Sequence, residues 1–137
     1  MERSEQKNNY DITYRDYSTN SFYICCQTWL NMETKRFGFK MKMRAGFREE
    51  YRKRHNEIWP ELVRLLKNEG IGNYSIFLDE ETNTLFAYQE QTGENSSQDL
   101  GNTEIVKRWW KYMADVMETN PDNSPITTPL EQVFYME

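Results

Sequence analysis

His55 is the sole histidine of the 137-residue chain, and it lies in YRKRHNEIWPEL, Tyr51 to Leu62. On a helix, Tyr51, His55 and Trp59 fall at i, i+4 and i+8 and run along one side. Histidine titrates nearest neutrality, so it both accepts and delivers protons at physiological pH. A tyrosine one turn earlier is placed to orient its ring. Pro60 has no N–H, crowds the carbonyl of Asn56 and disfavours helical backbone at Trp59. The expected result is a kink or break just after His55, aiming side chains into a cavity. The competing reading is an ordinary hydrogen-bonded boundary histidine, and spacing alone does not choose between the two.

A second candidate is RWWKYM, Arg108 to Met113. Trp109 and Trp110 are neighbours and point about 100° apart on a helix, so both cannot occupy the centre of one face. At least one is expected at a border, where an indole offers a flat apolar surface to sugar C–H groups and an N–H donor to a hydroxyl. The alternative is that Trp109, Tyr112 and Met113 are simply core. The polar loop NPDNSP, Asn120 to Pro125, reads either as a chain of Asx turns or as a hydroxyl-binding loop.

Composition narrows the classes. A chain 37% hydrophobic and 15% aromatic suits one globular domain. The formal charge of −5 gives no electrostatic reason to bind nucleic acid. The run Arg52, Lys53, Arg54 has Glu49, Glu50 and Glu57 beside it and reads as a solvated helix face. Adjacent Cys25 and Cys26 are poorly placed for a mutual disulfide, and no Cys/His spacing suggests a metal site. SFYICCQTWL is too short to span a bilayer. A cytoplasmic protein with no metal, cofactor, membrane or nucleic-acid partner is expected.

The elements that position these residues follow from periodicity. Residues 1–31 lack it and are expected to be a poorly ordered extension, or upstream sequence not in the mature protein; the folded domain is expected over 32–137. RFGFKMKMR alternates, with Phe37, Phe39, Met41 and Met43 on one face of a strand. FREEYRKRHNEIWPELVRLLKNEG has helical spacing, with Phe47, Tyr51, Ile58, Leu62, Leu65 and Leu66 on or near one face and Gly70 as its stop. IGNYSIFLD and NTLFAYQEQ form an antiparallel pair joined by residues 80–83. TGENSSQDLGN begins as a loop. EIVKRWWKYMADVME is a second helix, with Ile105, Trp109, Tyr112, Met113 and Val116 in one stripe. A loop with three prolines leads to a last strand, LEQVFYME. The order is βαββαβ: an α+β, ferredoxin-like antiparallel sheet with two helices on one face. Its other face needs a cover, and a homodimer with two sheets face to face is expected.

Taken together in this order and spacing, YRKRHNEIWPEL, NYSIFLDEETNTLFAY, RWWKYM and NPDNSP resemble the L-rhamnose mutarotase family over residues 36–137. The resemblance implies a dimeric α/β barrel that interconverts the α and β anomers of L-rhamnose without a cofactor. It implies that His55 is the proton donor, that Tyr51 assists it and binds substrate, and that Tyr74, Trp109 and Trp110 bind substrate. The chain departs from the family pattern in its N-terminal extension and in the polar, non-aromatic TGENSSQDLGN. The second departure puts local packing and substrate preference in question.

Two other classes share this architecture. One is a cofactor-independent monooxygenase or haem-binding dimeric barrel, which a Soret band after haem addition would mark. The other is a non-catalytic sugar-binding dimer, which would bind a sugar yet leave its anomer exchange unchanged.

Overall fold

The computed structural model describes residues 33–137, and the expected extension over 1–31, with both cysteines, lies outside them. The chain runs β1 (Lys35–Lys42), α1 (Arg48–Asn56), α2 (Pro60–Asn68), β2 (Ile71–Asp79), β3 (Thr84–Gln91), α3 (Glu104–Met113) and β4 (Thr128–Leu130). The strands form one antiparallel sheet in the order β2-β3-β1-β4. This is the ferredoxin-like α+β arrangement expected, except that the first helix is in two pieces, making three helices.

Alternation decides which face is buried. Phe39, Met41 and Met43 are buried while Lys40 and Lys42 are exposed. On β3, Leu85, Ala87, Gln89 and Gln91 are buried in the same rhythm. The hairpin between β2 and β3 turns at Asn83, φ 53°. The Asp79 carboxylate ties it by accepting hydrogen bonds from Thr82 Oγ1 at 2.6 Å and Glu81 N at 3.1 Å.

Pro60 explains the helix break. Trp59 is extended (φ −62°, ψ 129°), as a residue before proline prefers. Pro60 then opens α2 at its first turn, where no N–H is needed. The Trp59 carbonyl starts α2 by accepting from Leu62 N and Val63 N at 3.0 and 3.1 Å. The break therefore falls over Glu57–Trp59, just after His55 as expected. Gly70 ends α2 with φ +79°, and a side chain there would also meet Thr92 Oγ1 at 2.5 Å.

Three expectations are corrected. The second helix stops at Met113, not Glu118, because the following backbone joins the sheet edge. Arg44 N donates to Val116 O at 2.9 Å, Glu118 N donates to Lys42 O at 3.0 Å, and Met117 bridges Met43. Its buried stripe is Val106, Trp109 and Met113, and Tyr112 is 40% exposed. The last strand is Thr128–Leu130, not 130–137. Pro129 cannot donate to a ladder, which suits β4 to the sheet edge it occupies opposite Phe39. Beyond Leu130, paired with Gly38, only three residues of β1 remain as partners, and Tyr135 instead lies over the Arg36 guanidinium, 3.5 Å from ring centroid to carbon.

The third correction concerns Arg54. Its side chain is only 12% exposed, and it is no part of a solvated face. It pairs with Glu50 at 2.8 Å and Asp115 at 2.6 Å, donates to the Tyr112 carbonyl and lies over the Tyr112 ring. Arg54 thereby ties α1 to the end of α3.

Candidate active site

α1 presents Tyr51 and His55 one turn apart, and their rings stack with centroids 4.3 Å apart. His55 Nδ1 lies 3.1 Å from the Tyr51 carbonyl oxygen. A carbonyl only accepts, so Nδ1 carries the proton and the neutral ring has its lone pair on Nε2. Burial pushes the His55 pKa below its ordinary value, opposed by the bond to Tyr51 O. The imidazole is thus neutral near pH 7, with Nε2 poised as a base.

Two phenols stand near it. Tyr51 is buried, and burial first, then the neighbouring Tyr74 phenol, pushes its pKa far above the ordinary value. Tyr74 projects from an irregular stretch of β2, where pairing with β3 shifts register between Gly72 and Ser75 and Asn73 takes φ 45°. Burial raises its pKa also, opposed by hydrogen bonds from Ser97 and Gln98. Both phenols keep their protons at neutral pH.

α3 supplies the tryptophans. Trp109 is buried, edge-on to His55 at 5.4 Å and to Trp59 at 5.3 Å. Trp110 sits at the border, partly exposed, against Gly101. A Cβ at Gly101 would stand 2.5 Å from the Trp110 ring, so the glycine makes room for it. The border position expected for one of the pair belongs to Trp110.

Tyr51, His55, Tyr74, Trp109 and Trp110 all line one cavity of about 650 Å³ between helices and sheet. That volume is ample for a small ligand. The structure therefore brings together the five residues that the family resemblance assigns to the site. Trp59 is excluded: the break carries it off the line of Tyr51 and His55, against Trp109 and Tyr112. The Asn120–Pro125 loop is the Asx-turn alternative. Asp122 Oδ1 accepts from Ser124 N at 3.0 Å and Ser124 Oγ at 2.5 Å, and only Pro125 of this loop reaches the cavity.

Ser97 and Gln98 also line the cavity, and sequence reasoning missed them. Ser97 Oγ donates to the Tyr74 hydroxyl at 3.3 Å, and Gln98 Nε2 donates to Ser97 Oγ at 3.1 Å. The available signal was Ser96-x-x-Asp99, a serine and an aspartate spaced to close a turn. Far from loosening the packing, TGENSSQDLGN buries Ser96, Ser97 and Leu100.

The cavity combines one neutral histidine, two intact phenols and indole surfaces. Among the described residues no carboxylate lines it, while Arg48, Arg52 and Lys67 do. Among the described residues, no group of three or more His, Cys, Asp or Glu is arranged to hold a metal ion. The same residues contain no helix long and apolar enough to cross a membrane. Such a set can exchange a proton between neighbouring oxygens of a polar ligand.

The family model described as L-rhamnose mutarotase matches residues 36–136. An L-rhamnose mutarotase of Formosa agariphila is 59% identical over 103 residues, covering 75% of this chain and 99% of the relative. One from Bacteroides thetaiotaomicron is also 59% identical over 103 residues, with the same coverage. The crystal structure of the Formosa agariphila L-rhamnose mutarotase superposes with a TM-score of 0.70 at 57% identity, covering 75% of this chain and 99% of that one.

Proposed function

The chain belongs to the L-rhamnose mutarotase family; it is an isomerase that interconverts the α and β anomers of L-rhamnose, and we propose that it does so at His55. The observation that carries this placement is the bond from Nδ1 to Tyr51 O, which leaves Nε2 bare inside an aromatic-lined cavity.

Mutarotation opens the pyranose to the aldehyde and recloses it on the other face. Nε2 takes the proton of the anomeric hydroxyl as the C1–O5 bond breaks and the exocyclic C1–O bond becomes a carbonyl. The bonding pair moves to the ring oxygen, and the imidazolium delivers its proton there. The two oxygens share C1, so one nitrogen serves both after a small movement. C1 then rotates, and the same transfers run backwards. Tyr51 holds the imidazole by stacking and by its carbonyl. Tyr74 donates a hydrogen bond to a sugar oxygen. Trp109 and Trp110 face the C–H groups and the methyl of the deoxy sugar.

We further propose a homodimer and a cytoplasmic setting. The outer sheet face supports the first: Phe77 and Phe86 are cross-strand partners and are 66% and 40% exposed.

The test is exchange spectroscopy between the anomeric protons of L-rhamnose, with wild type and His55→Ala. Accelerated exchange that falls about 100-fold or more in a folded variant supports the assignment. Full activity in that variant would overturn the role of His55.

A further inference from the structure

The loop before α3 contains a turn closed by its own side chains. Asp99 Oδ2 accepts from Ser96 N at 2.8 Å and Ser96 Oγ at 2.7 Å. Gln98 N donates to Ser96 Oγ at 3.2 Å, and Asp99 N donates to Ser96 O at 3.1 Å. Buried Leu100 anchors the turn beside α3. With Ser96 and Asp99 occupied by each other, Ser97 and Gln98 are left to face the cavity.

Their hydrogen bonds have a direction. An amide nitrogen only donates, and a hydroxyl has a single proton. Gln98 Nε2 donates to Ser97 Oγ, so the Ser97 proton is free to go to the Tyr74 oxygen. The Tyr74 oxygen is then occupied as an acceptor, and its own proton points onward. We propose that Ser97 and Gln98 are positioning residues that act through Tyr74, fixing its phenol as a hydrogen-bond donor into the cavity it shares with His55. This rests on the mutarotase reading above.

The polarity matters because of the oxygen it suits. A pyranose ring oxygen accepts and never donates, and it gains negative charge as C1–O5 breaks. A phenol already polarised by the Gln98-to-Ser97 donor chain behind it stabilises that charge without any rearrangement. Burial keeps the phenol protonated, so Tyr74 holds its proton while His55 moves one. The reverse polarity, with Tyr74 donating to Ser97, would offer the ring oxygen only lone pairs.

Gln98→Glu tests the direction, since it replaces the donor with an acceptor of similar shape. Anomer exchange of L-rhamnose is measured for wild type, Gln98→Glu, Ser97→Ala and Ser97→Thr, each with Tyr74 intact and as Tyr74→Phe. With Tyr74 intact, Gln98→Glu and Ser97→Ala are expected to lower kcat about tenfold with little change in KM, and Ser97→Thr to restore most of it. In the Tyr74→Phe background the same changes should alter the rate less than about twofold, because the hydroxyl they act through is gone. Equal losses in both backgrounds would show a merely structural loop and overturn the proposal. So would an unchanged kcat in Gln98→Glu, which also decides the matter if Ser97→Ala fails to fold. A wild-type protein that does not accelerate exchange would instead overturn the mutarotase reading itself.

Discussion

His55 reaches back one turn and donates its Nδ1 proton to the carbonyl oxygen of Tyr51 at 3.1 Å. The same helix that carries the base thus fixes its tautomer, and among the described residues no carboxylate bonds the ring. A carboxylate partner would raise the pKa of the ring. Here burial dominates and lowers it below the ordinary 6.5.

The pH dependence follows from that sign. The active form is the neutral imidazole, so the acid limb of the activity profile should be centred below pH 6.5. Stability has the same sense. Above pH 6.5 the site is neutral in both folded and unfolded chains. As pH falls through 6.5 the unfolded chain takes up its proton first, and stability is lost until the folded pKa is reached. Rate–pH profiles and urea midpoints between pH 5 and 8 measure both effects. His55→Gln should abolish that stability slope, and an acid limb centred above 6.5 would contradict the burial argument.

Arg54→Met should destabilise the fold by about 1–2 kcal/mol, even though it belongs to a run of surface-like charges. Its guanidinium joins α1 to α3 through Asp115 and the Tyr112 carbonyl. Glu50 and Asp115 remain largely solvated when it is removed, which keeps the cost below that of a stranded buried charge. Arg54 holds Asp115 below the usual carboxylate range, so this contribution is present above pH 4 and is lost as the pH falls through the folded pKa. Urea unfolding at pH 7 is the measurement, and Arg52→Met, on the exposed face, is the control expected to change little.

The contrast between Arg52 and Arg54 shows which features were legible in the sequence. Periodicity marked β1 and β3 because each has one buried face, and Pro60 marked the break because its constraint is covalent. Tyr51 and His55 were legible together because their spacing is local. Arg54 was not, since the carboxylate that captures it is 61 residues away and the nearby glutamates offered a sufficient local partner. Ser97 escaped for the same reason, being read against its polar neighbours while its partner Tyr74 lies 23 residues earlier. The end of the last strand was misplaced because Val133 to Met136 look like strand residues, whereas pairing depends on how much of β1 is left.

Gly101→Ala should displace the Trp110 ring, since the added Cβ would stand 2.5 Å from two of its carbons. Gly101 and Trp110 are both only half-buried, so the ring can give way and the effect on stability should be small, about 1 kcal/mol. KM for L-rhamnose should rise several-fold, because the displaced ring is the one proposed to face the sugar. Trp109→Ala should behave differently, costing about 3–5 kcal/mol because that ring is buried between His55 and Trp59. Tryptophan fluorescence and thermal unfolding of the two variants separate a displaced ligand contact from a lost core.

Phe77→Lys should convert the proposed dimer to a monomer. Phe77 and Phe86 lie opposite each other on β2 and β3, on the sheet face away from the buried Leu85 and Ala87. A lone exposed phenylalanine needs no explanation, but a cross-strand pair on the open face of the sheet is an apolar patch that water disfavours. A lysine there would place an unpaired charge in any sheet-to-sheet contact, while leaving the monomer's own core untouched. Sedimentation velocity should show wild type at twice the mass of the variant. Anomer exchange of a folded monomeric variant reads the partner's part in the site: retained exchange means that the cavity works within one chain, and loss on dissociation means that the partner shapes it. An unchanged mass in wild type and variant, equal to one chain, would remove the dimer from the proposal.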